Sequence, residues 1–160
     1  MQLWSEVDIA DTLGVRQDRM RVDFICQNWH TCVMPDPAMK PLFWIGASLK
    51  DLRGFPDAVK DEIGHALQEA QFGLKPLQAK PLRGYGGAAV LEVVEDFQTD
   101  TYRAVYTVRF AGVVYVLHAF QKKSKRGSAT PQPDLDLIKQ RLLQAQAHYV
   151  AWQRDQHKDG

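Results

Sequence analysis

The chain has few cysteines and no long apolar run. Cys26 and Cys32 are the two cysteines among 160 residues, which is typical of a reducing compartment and argues against a disulfide-stapled secreted scaffold. No apolar run approaches the about 18 residues that a membrane-spanning helix needs. The first residues carry acids without a basic segment, so we expect no secretory signal. The expected location is the cytoplasm, with no membrane partner.

Signatures of several enzyme classes are also absent. The sequence contains no P-loop, dinucleotide fingerprint, nucleophile elbow or HExxH motif, so it gives no support to the enzyme classes that those motifs mark. A fragment of the form C-x3-H-x-C, built from Cys26, His30 and Cys32, offers three metal ligands without a fourth, which is a weak zinc signal. We expect no metal and no other cofactor.

The composition is that of a globular protein, but its charge is unevenly distributed. Hydrophobic residues make up 45% and charged residues 24% of the chain, enough for a core of ordinary size. Residues 1–38 carry a net negative charge, and residues 39–160 carry a net positive charge. The change falls within a proline-rich segment at 33–41, which is typical of a domain boundary. We expect a domain at 39–160. Residues 1–38 are either an N-terminal extension or the result of a start codon assigned upstream of Met39, and the second interpretation is slightly favoured.

The first part of this domain predicts one strand and two helices. Residues 42–47 form a short apolar run suited to a strand. Ser48 and Asp51 have the S-x-x-D pattern of a helix N-terminus, and Pro56 is suited to the first position of a second helix. Gly73 is a natural end for that second helix. Its apolar residues recur at helical spacing: Val59, Ile63, Ala66, Leu67 and Ala70.

The second part predicts a basic loop, three strands and a helix. Prolines and glycines in residues 74–87 indicate the loop, and residues 88–97 a strand. Residues 101–126 predict an antiparallel hairpin that turns at Ala111-Gly112. Apolar residues from Leu135 to Trp152 follow the period of an amphipathic helix. Packing of this helix on the sheet is favoured over binding to a partner protein. We therefore expect an α+β fold: a small antiparallel sheet, an N-terminal helical hairpin and a C-terminal helix.

The predicted hairpin ends in a cluster of positive charge. A sheet with clustered cations at one edge is suited to binding a polyanion, most plausibly RNA. By simple alternation, one face of the second strand is predicted to carry Val114, Val116, His118, Phe120 and Lys122. The strand continues into a basic run: Lys122, Lys123, Lys125 and Arg126.

Four segments, in this order, resemble one family. They are KPLFWIGASLKDLRGFP at 40–56, KPLRGYGG at 80–87, TYRAVYTV at 101–108 and VLHAFQKKSKRGSATP at 116–131. The chain resembles the RelE/HigB superfamily of toxins from type II toxin–antitoxin systems, and most of all its phage-related HigB-like branch. Each fragment alone is a weak signal, whereas Y-R-x-x-Y followed by H-A-F-x-K-K is fairly specific.

The resemblance implies a function and a partner. Members of this superfamily are small α+β proteins that usually cleave mRNA without a metal, often on the ribosome, and so arrest translation. Each is neutralised by a cognate antitoxin, commonly a helix-turn-helix DNA-binding protein. Two alternatives stay open: a toxin that inhibits DNA gyrase, as ParE-type relatives do, and a non-catalytic, phage-derived nucleic-acid-binding protein.

The resemblance also implies two lysines as catalytic cations. Lys123 matches a position where many relatives carry a cation near the scissile phosphate, and Lys122 is its neighbour. Metal-free cleavage uses the 2′-hydroxyl of the RNA as nucleophile and needs positive charge to stabilise the phosphorane. A solvated charge run that serves only solubility is an equally weighted alternative.

Arg103 and His118 are further catalytic candidates. Arg103 in the Y-R-x-x-Y strand can contact a phosphate through two guanidinium nitrogens, but a structural ion pair with Glu92 or Glu95 on the adjacent strand is slightly favoured. Histidine is chemically suited to proton transfer, although His118 lies on an apolar strand, where a hydrogen-bonded core histidine is more common.

Four other cations are candidates for RNA binding. Lys80 and Arg83 lie in the predicted basic loop, and Lys125 and Arg126 lie beyond the hairpin. Contacts with the RNA backbone are one interpretation of these side chains. Solvation of exposed cations, without a ligand, is the other.

One part of the sequence departs from the family pattern. Relatives often carry an arginine in an E-L-R pattern on the strand before the hairpin, whereas residues 91–96, LEVVED, contain acids and no arginine. The C-terminal tyrosine that some relatives use in cleavage has no clear counterpart after Arg126. The usual residue set is therefore incomplete, and we expect a site that is weakened or differently composed.

Overall fold

A five-stranded sheet organises the computed structural model, which describes residues 39–85, 89–122 and 129–157. Residues 1–38, with the proposed extension and the C-x3-H-x-C fragment, lie outside the described residues, as do Lys123, Lys125 and Arg126. Of the helices in the described ranges, none is long and apolar enough to cross a membrane.

The described part of the chain contains five strands and three helices. In chain order they are β1 (Leu42–Trp44), α1 (Ser48–Arg53), α2 (Asp57–Gln71), β2 (Ala79–Pro81), β3 (Val90–Phe97), β4 (Asp100–Thr107), β5 (Val114–Lys122) and α3 (Gln132–Gln156). The strand order is β1-β5-β4-β3-β2. Strands β2 to β5 pair with antiparallel neighbours, whereas β1 pairs with β5 in parallel. The α+β prediction is confirmed, including the C-terminal helix on the sheet.

The sheet is covered by helices on both faces, which gives two apolar cores. Helices α1 and α2 pack on one face, and the apolar positions predicted for the second helix are all buried there. The long helix α3 packs on the other face. The α1–α2 core includes Leu42, Trp44, Leu52, Ile63, Leu67, Val93, Tyr106 and Val116. The α3 core includes Phe43, Ile45, Val105, Tyr115, Leu117, Ile138 and Ala145.

Ser48 does not act as the predicted helix cap. Ala47 occupies the N-cap position of α1 without a side-chain hydrogen bond, and Ser48 is the first helical residue. The buried Ser48 hydroxyl instead donates a hydrogen bond to the carbonyl oxygen of Val116 at 3.2 Å. The hydroxyl thus ties α1 to β5, because a buried polar group needs a partner wherever one is in reach.

Two predictions about the strands need correction. The segment predicted as a basic loop contains β2, which pairs with β3 at the edge of the sheet. Pro81 is tolerated there because an edge strand does not need every backbone N–H for pairing. The connection between β4 and β5 is also longer than the predicted Ala111-Gly112 turn, since it spans residues 108–113 and buries Phe110 and Val113.

A β-bulge changes which side chains of β5 share a face. His118 pairs with Val105, but the next residue of β4, Tyr106, pairs with Val116, so Leu117 is the extra residue. Val114 and Val116 therefore lie in the α1–α2 core. His118, Phe120 and Lys122 pair with β4 beyond the bulge and lie on the face that α3 covers. The predicted common face of these five side chains is wrong.

Candidate nucleic-acid interface

A cleft of about 350 Å³ opens on the α3 face of the sheet. Its floor consists of β2, β3 and β4, and its wall is the segment that leads into α3. The lining residues combine three cations, one carboxylate and several apolar side chains: Lys80, Pro81, Leu82, Arg83, Glu92, Val94, Arg103, Ala129, Thr130 and Leu135.

Strand register brings the polar residues of the cleft together. Lys80 on β2 pairs with Glu92 on β3, and Val94 pairs with Arg103 on β4. Paired residues of adjacent strands project to the same side of a sheet, and positions 92 and 94 share that side because they are two residues apart. Three strands thus deliver Lys80, Glu92 and Arg103 to one surface.

Arg103 and Glu92 form an ion pair within the cleft. The Nη1 atom of Arg103 lies 2.8 Å from Oε2 of Glu92 and also donates a hydrogen bond to the Thr130 hydroxyl at 3.2 Å. The side chains are only 6% and 12% exposed, so water screens the pair weakly. Of the two acidic partners predicted for Arg103, the structure selects Glu92. The other candidate, Glu95, has a pKa that is raised by burial and by the nearby carboxylates of Glu62 and Asp96.

This ion pair bears on the missing family arginine. Residues 91–96 of strand β3 contain acids and no arginine, and the guanidinium in the cleft comes from the neighbouring strand β4. The acid and the base therefore neutralise one another in a buried contact, and the acid does not stand alone against a bound phosphate.

Three other predicted cations lie within the described residues: Lys80, Arg83 and Lys122. Lys80 and Arg83 line the cleft and are exposed, so their charges are available to a ligand. Lys122 lies on the same sheet face at the end of β5, where its Nζ donates a hydrogen bond to the carbonyl oxygen of Ala129 at 3.0 Å. Ala129 itself lines the cleft. Lys122 thus holds the segment that forms the cleft wall.

His118 lies outside the cleft lining, and both of its ring nitrogens have partners. Nε2 is 3.0 Å from Oδ1 of Asp134, and Nδ1 is 3.1 Å from Nη1 of Arg141. Because an arginine nitrogen only donates, Nδ1 accepts and Nε2 carries the proton. The residue is 6% exposed, and its ring stacks on Phe120 with 4.9 Å between ring centroids. This geometry is that of a hydrogen-bonded core histidine.

Arg141 is a structural residue that the sequence interpretation missed. It projects from α3, is 8% exposed and donates a hydrogen bond to the carbonyl oxygen of Leu117 at 2.9 Å. Burial lowers its pKa from the ordinary arginine value, and the carboxylate of Asp51 acts in the opposite direction. Because arginine side chains are mostly exposed, the sequence alone does not indicate that Arg141 faces the sheet. These contacts of Arg141 fix the position of α3. Because Leu135 belongs to α3, they also fix the cleft wall at Leu135.

Tyr85 fixes the same wall from the other side. Its hydroxyl donates a hydrogen bond to the carbonyl oxygen of Leu135. Burial is the main reason that the pKa of Tyr85 is raised, and the carboxylate of Asp136 adds to it. The turn after β2 is thereby attached to the first turn of α3, so the cleft is bounded by tethered elements on two sides.

The arrangement can hold an anionic strand against a partly apolar surface. Lys80 and Arg83 offer exposed positive charge, and Leu82, Val94 and Leu135 offer apolar contact area. A positively charged groove that follows the backbone is one component of single-strand recognition. Among the described residues, no group of three or more His, Cys, Asp or Glu side chains is placed to hold a metal ion.

Comparison with known proteins gives one family. The model of the family described as "Phage derived protein Gp49-like (DUF891)" matches residues 50–143, which is more than half of the chain. No curated protein and no solved structure matches the chain. The matched range runs from α1 into α3 and includes every residue that lines the cleft.

Proposed function

This chain belongs to the Gp49-like family of phage-derived proteins, and on that premise we propose that it is the toxin of a type II toxin–antitoxin system. In this proposal it is a HigB-like, metal-independent endoribonuclease that cleaves mRNA and arrests translation. The cleft on the α3 face of the sheet is the RNA site. The observation that carries the proposal is the convergence of Lys80, Arg83 and Arg103 on this cleft.

Positive charge at the cleft supports an RNA ligand. Lys80 and Arg83 are exposed and have no carboxylate within ion-pair distance among the described residues. Contacts between such cations and phosphates release bound counterions and supply most of the affinity for a single strand. Arg103 is committed to Glu92 and acts by holding that carboxylate in place.

The proposed cleavage is an internal transesterification. The 2′-hydroxyl gives its proton to water as its oxygen attacks the adjacent phosphorus, and the bond from phosphorus to the 5′-oxygen breaks. Water protonates the departing 5′-oxygen, so a 2′,3′-cyclic phosphate and a 5′-hydroxyl result. Lys80 and Arg83 stabilise the charge of the phosphorane and align the strand, which are the two largest contributions that a fixed site makes to such a reaction. His118 has no part in this scheme, since Asp134 and Arg141 occupy its nitrogens.

The partners follow from the same proposal. A cognate antitoxin, in these systems commonly a helix-turn-helix DNA-binding protein, neutralises the toxin. The substrate is mRNA, either free or on the ribosome, in the cytoplasm. Support for this setting comes from the phage-derived family and from the resemblance of the four sequence segments, in their order, to HigB-like toxins.

The direct experiment is RNA cleavage by the purified chain. The wild-type protein should cut a synthetic mRNA and leave 2′,3′-cyclic phosphate ends, with or without ribosomes. K80A/R83A should reduce cleavage by about tenfold or more, since two charge contacts are lost. K50A/R53A is the matched control, because it removes the same charge from exposed positions of α1 on the opposite face.

Expression in cells separates the alternatives. Growth arrest with mRNA cut inside codons supports the nuclease. Growth arrest with a DNA-damage response and intact mRNA contradicts it and supports the gyrase-directed alternative. Absence of both toxicity and cleavage contradicts any toxin and leaves a nucleic-acid-binding protein.

A further inference from the structure

Among the described residues that line the cleft, Glu92 is the one carboxylate. It is 9% exposed and stands among cations that face a phosphate strand in the proposed function. The ion pair with Arg103 offsets its repulsion of phosphate. Glu92 nevertheless cannot contact a phosphate as its neighbours do, so a contact between Glu92 and RNA has to be one in which the carboxylate accepts a hydrogen bond.

Glu92 is held as an oriented hydrogen-bond acceptor. Its Oε2 atom accepts from Arg103 at 2.8 Å, and Arg103 is in turn bonded to Thr130. No donor among the described residues contacts its other carboxylate oxygen. Because an ionised carboxylate has about four acceptor positions, the contact with Arg103 leaves acceptor positions of Glu92 that the described residues do not use.

The cleft has the size and walls of a site for one base. Its volume of about 350 Å³ lies near the lower end of small-ligand sites, which span roughly 300 to 1,000 Å³. Leu82, Val94 and Leu135 provide apolar walls, while Lys80 and Arg83 provide exposed positive charge for a sugar–phosphate backbone. An unstacked RNA base is commonly read on its Watson–Crick edge in such a setting.

Guanine is the base whose edge matches a carboxylate. Its N1–H and exocyclic N2–H2 are adjacent donors, so both oxygens of a carboxylate, or one oxygen twice, accept from them. Adenine and cytosine place an acceptor beside their amino group, and uracil places acceptors on both sides of its N–H. We propose that the cleft binds a guanine base of the RNA and that Glu92 selects it. This rests on the proposed function only in taking RNA as the polymer.

Free nucleotides test the selection without any mutation. NMR titration of the full chain with GMP, IMP and AMP compares three purines that differ at the edge Glu92 would contact. IMP lacks the 2-amino group of guanine, so GMP should bind about tenfold more tightly than IMP, and AMP should bind more weakly than either. Equal affinity for the three nucleotides would overturn the proposal.

Glu92→Gln tests the residue itself. Glutamine still accepts from Arg103, but it presents an amide donor beside its acceptor and therefore complements adenine. The variant should lose the preference for GMP over IMP and should bind AMP more tightly than the wild type does. Lys50→Ala, at an exposed position of α1 on the opposite face of the sheet, is the control.

Cleavage of RNA distinguishes this proposal from the proposed function. If Glu92→Gln slows cleavage of every RNA by the same factor and leaves nucleotide preference unchanged, Glu92 takes part in proton transfer and the selection proposal fails. If the wild-type protein prefers GMP but cuts no RNA, the nuclease fails and guanine selection stands. A shift of cleavage from sites beside G to sites beside A in the variant supports both.

Discussion

A methyl group placed on Gly46 would lie 3.1 Å from the Nε atom of Arg141. The turn after β1 and the buried arginine of α3 therefore meet so closely that an added Cβ would require the guanidinium to move by a few tenths of an ångström. Gly46 also has a φ angle of 60°, in the left-handed region that glycine adopts with little cost. Two independent constraints, one steric and one conformational, thus favour glycine at this position.

Gly46→Ala should lower the free energy of unfolding by about 2 to 4 kcal/mol, since it adds backbone strain and displaces Arg141. Gly112→Ala is the matched control, because Gly112 has a φ angle of 76° but nothing within 4 Å of an added Cβ. It should cost only about 1 kcal/mol. Urea denaturation measures both, and equal losses would show that Arg141 moves aside freely.

Arg141→Met should destabilise the protein by about 2 to 4 kcal/mol. The substitution keeps an apolar stem but leaves the carbonyl oxygen of Leu117 and Nδ1 of His118 without their donor in a buried place. Arg154→Ala, at an exposed position of the same helix, should change stability by less than about 0.5 kcal/mol. Thermal and urea unfolding of the two variants give the comparison. Similar effects would contradict the structural role of Arg141.

The salt dependence of RNA binding should report the two exposed cations of the cleft. Each phosphate contact contributes about 0.7 to the slope of log K against log salt for a single strand. K80A/R83A should therefore reduce the slope by about 1.4, and K50A/R53A should leave it unchanged. Fluorescence anisotropy with a short labelled RNA at several salt concentrations measures the slope. A K80A/R83A slope equal to that of the wild type would place the RNA elsewhere.

Acidification should weaken the fold through His148. Its Nδ1 lies 2.8 Å from the Tyr115 hydroxyl beneath α3, and burial lowers its pKa below the ordinary value of 6.5. As the pH falls below 6.5, the unfolded chain takes up the proton first. The stability from neutral His148 is thus complete above 6.5 and is lost as the pH falls toward the lower folded-state pKa.

The matching measurement is the urea midpoint at about pH 7.5 and about pH 5.5. The midpoint of the wild type should fall more between these values than that of His148→Gln, which removes the titrating group and keeps an acceptor for Tyr115. The other histidines are present in both proteins, so the difference isolates His148. An equal fall in both proteins would exclude His148 as the source.

Periodicity was sufficient to predict the helices and the order of the longer strands. The apolar positions of α2 and the packing of α3 on the sheet follow from residue spacing, because burial of one helical face decides both. Strand β2 was missed because three residues that include a lysine and a proline carry no strand pattern. Its place at the sheet edge is set by pairing with β3, which local sequence does not encode.

The face of His118 was predicted wrongly for a different reason. Simple alternation assumes an unbroken strand, and the extra residue at Leu117 inverts the assignment for the rest of β5. The contacts of Arg141 and the choice of Glu92 over Glu95 as the partner of Arg103 depend on the same long-range register. The sequence offers Lys80, Arg83 and Arg103 only as separate candidates, and the cleft that unites them becomes visible only once the strands are paired.

The parallel pairing of β1 with β5 also affects how the protein is made. Residues 42–44 meet their neighbours at 114–116 only after most of the domain has left the ribosome. The wall of the cleft, at residues 129–135, is synthesised later still. A nascent chain therefore lacks the finished cleft until residues 129–135 have been made, because contacts distant in sequence form last. Biosynthesis in this order delays any activity of the cleft until its wall has been synthesised.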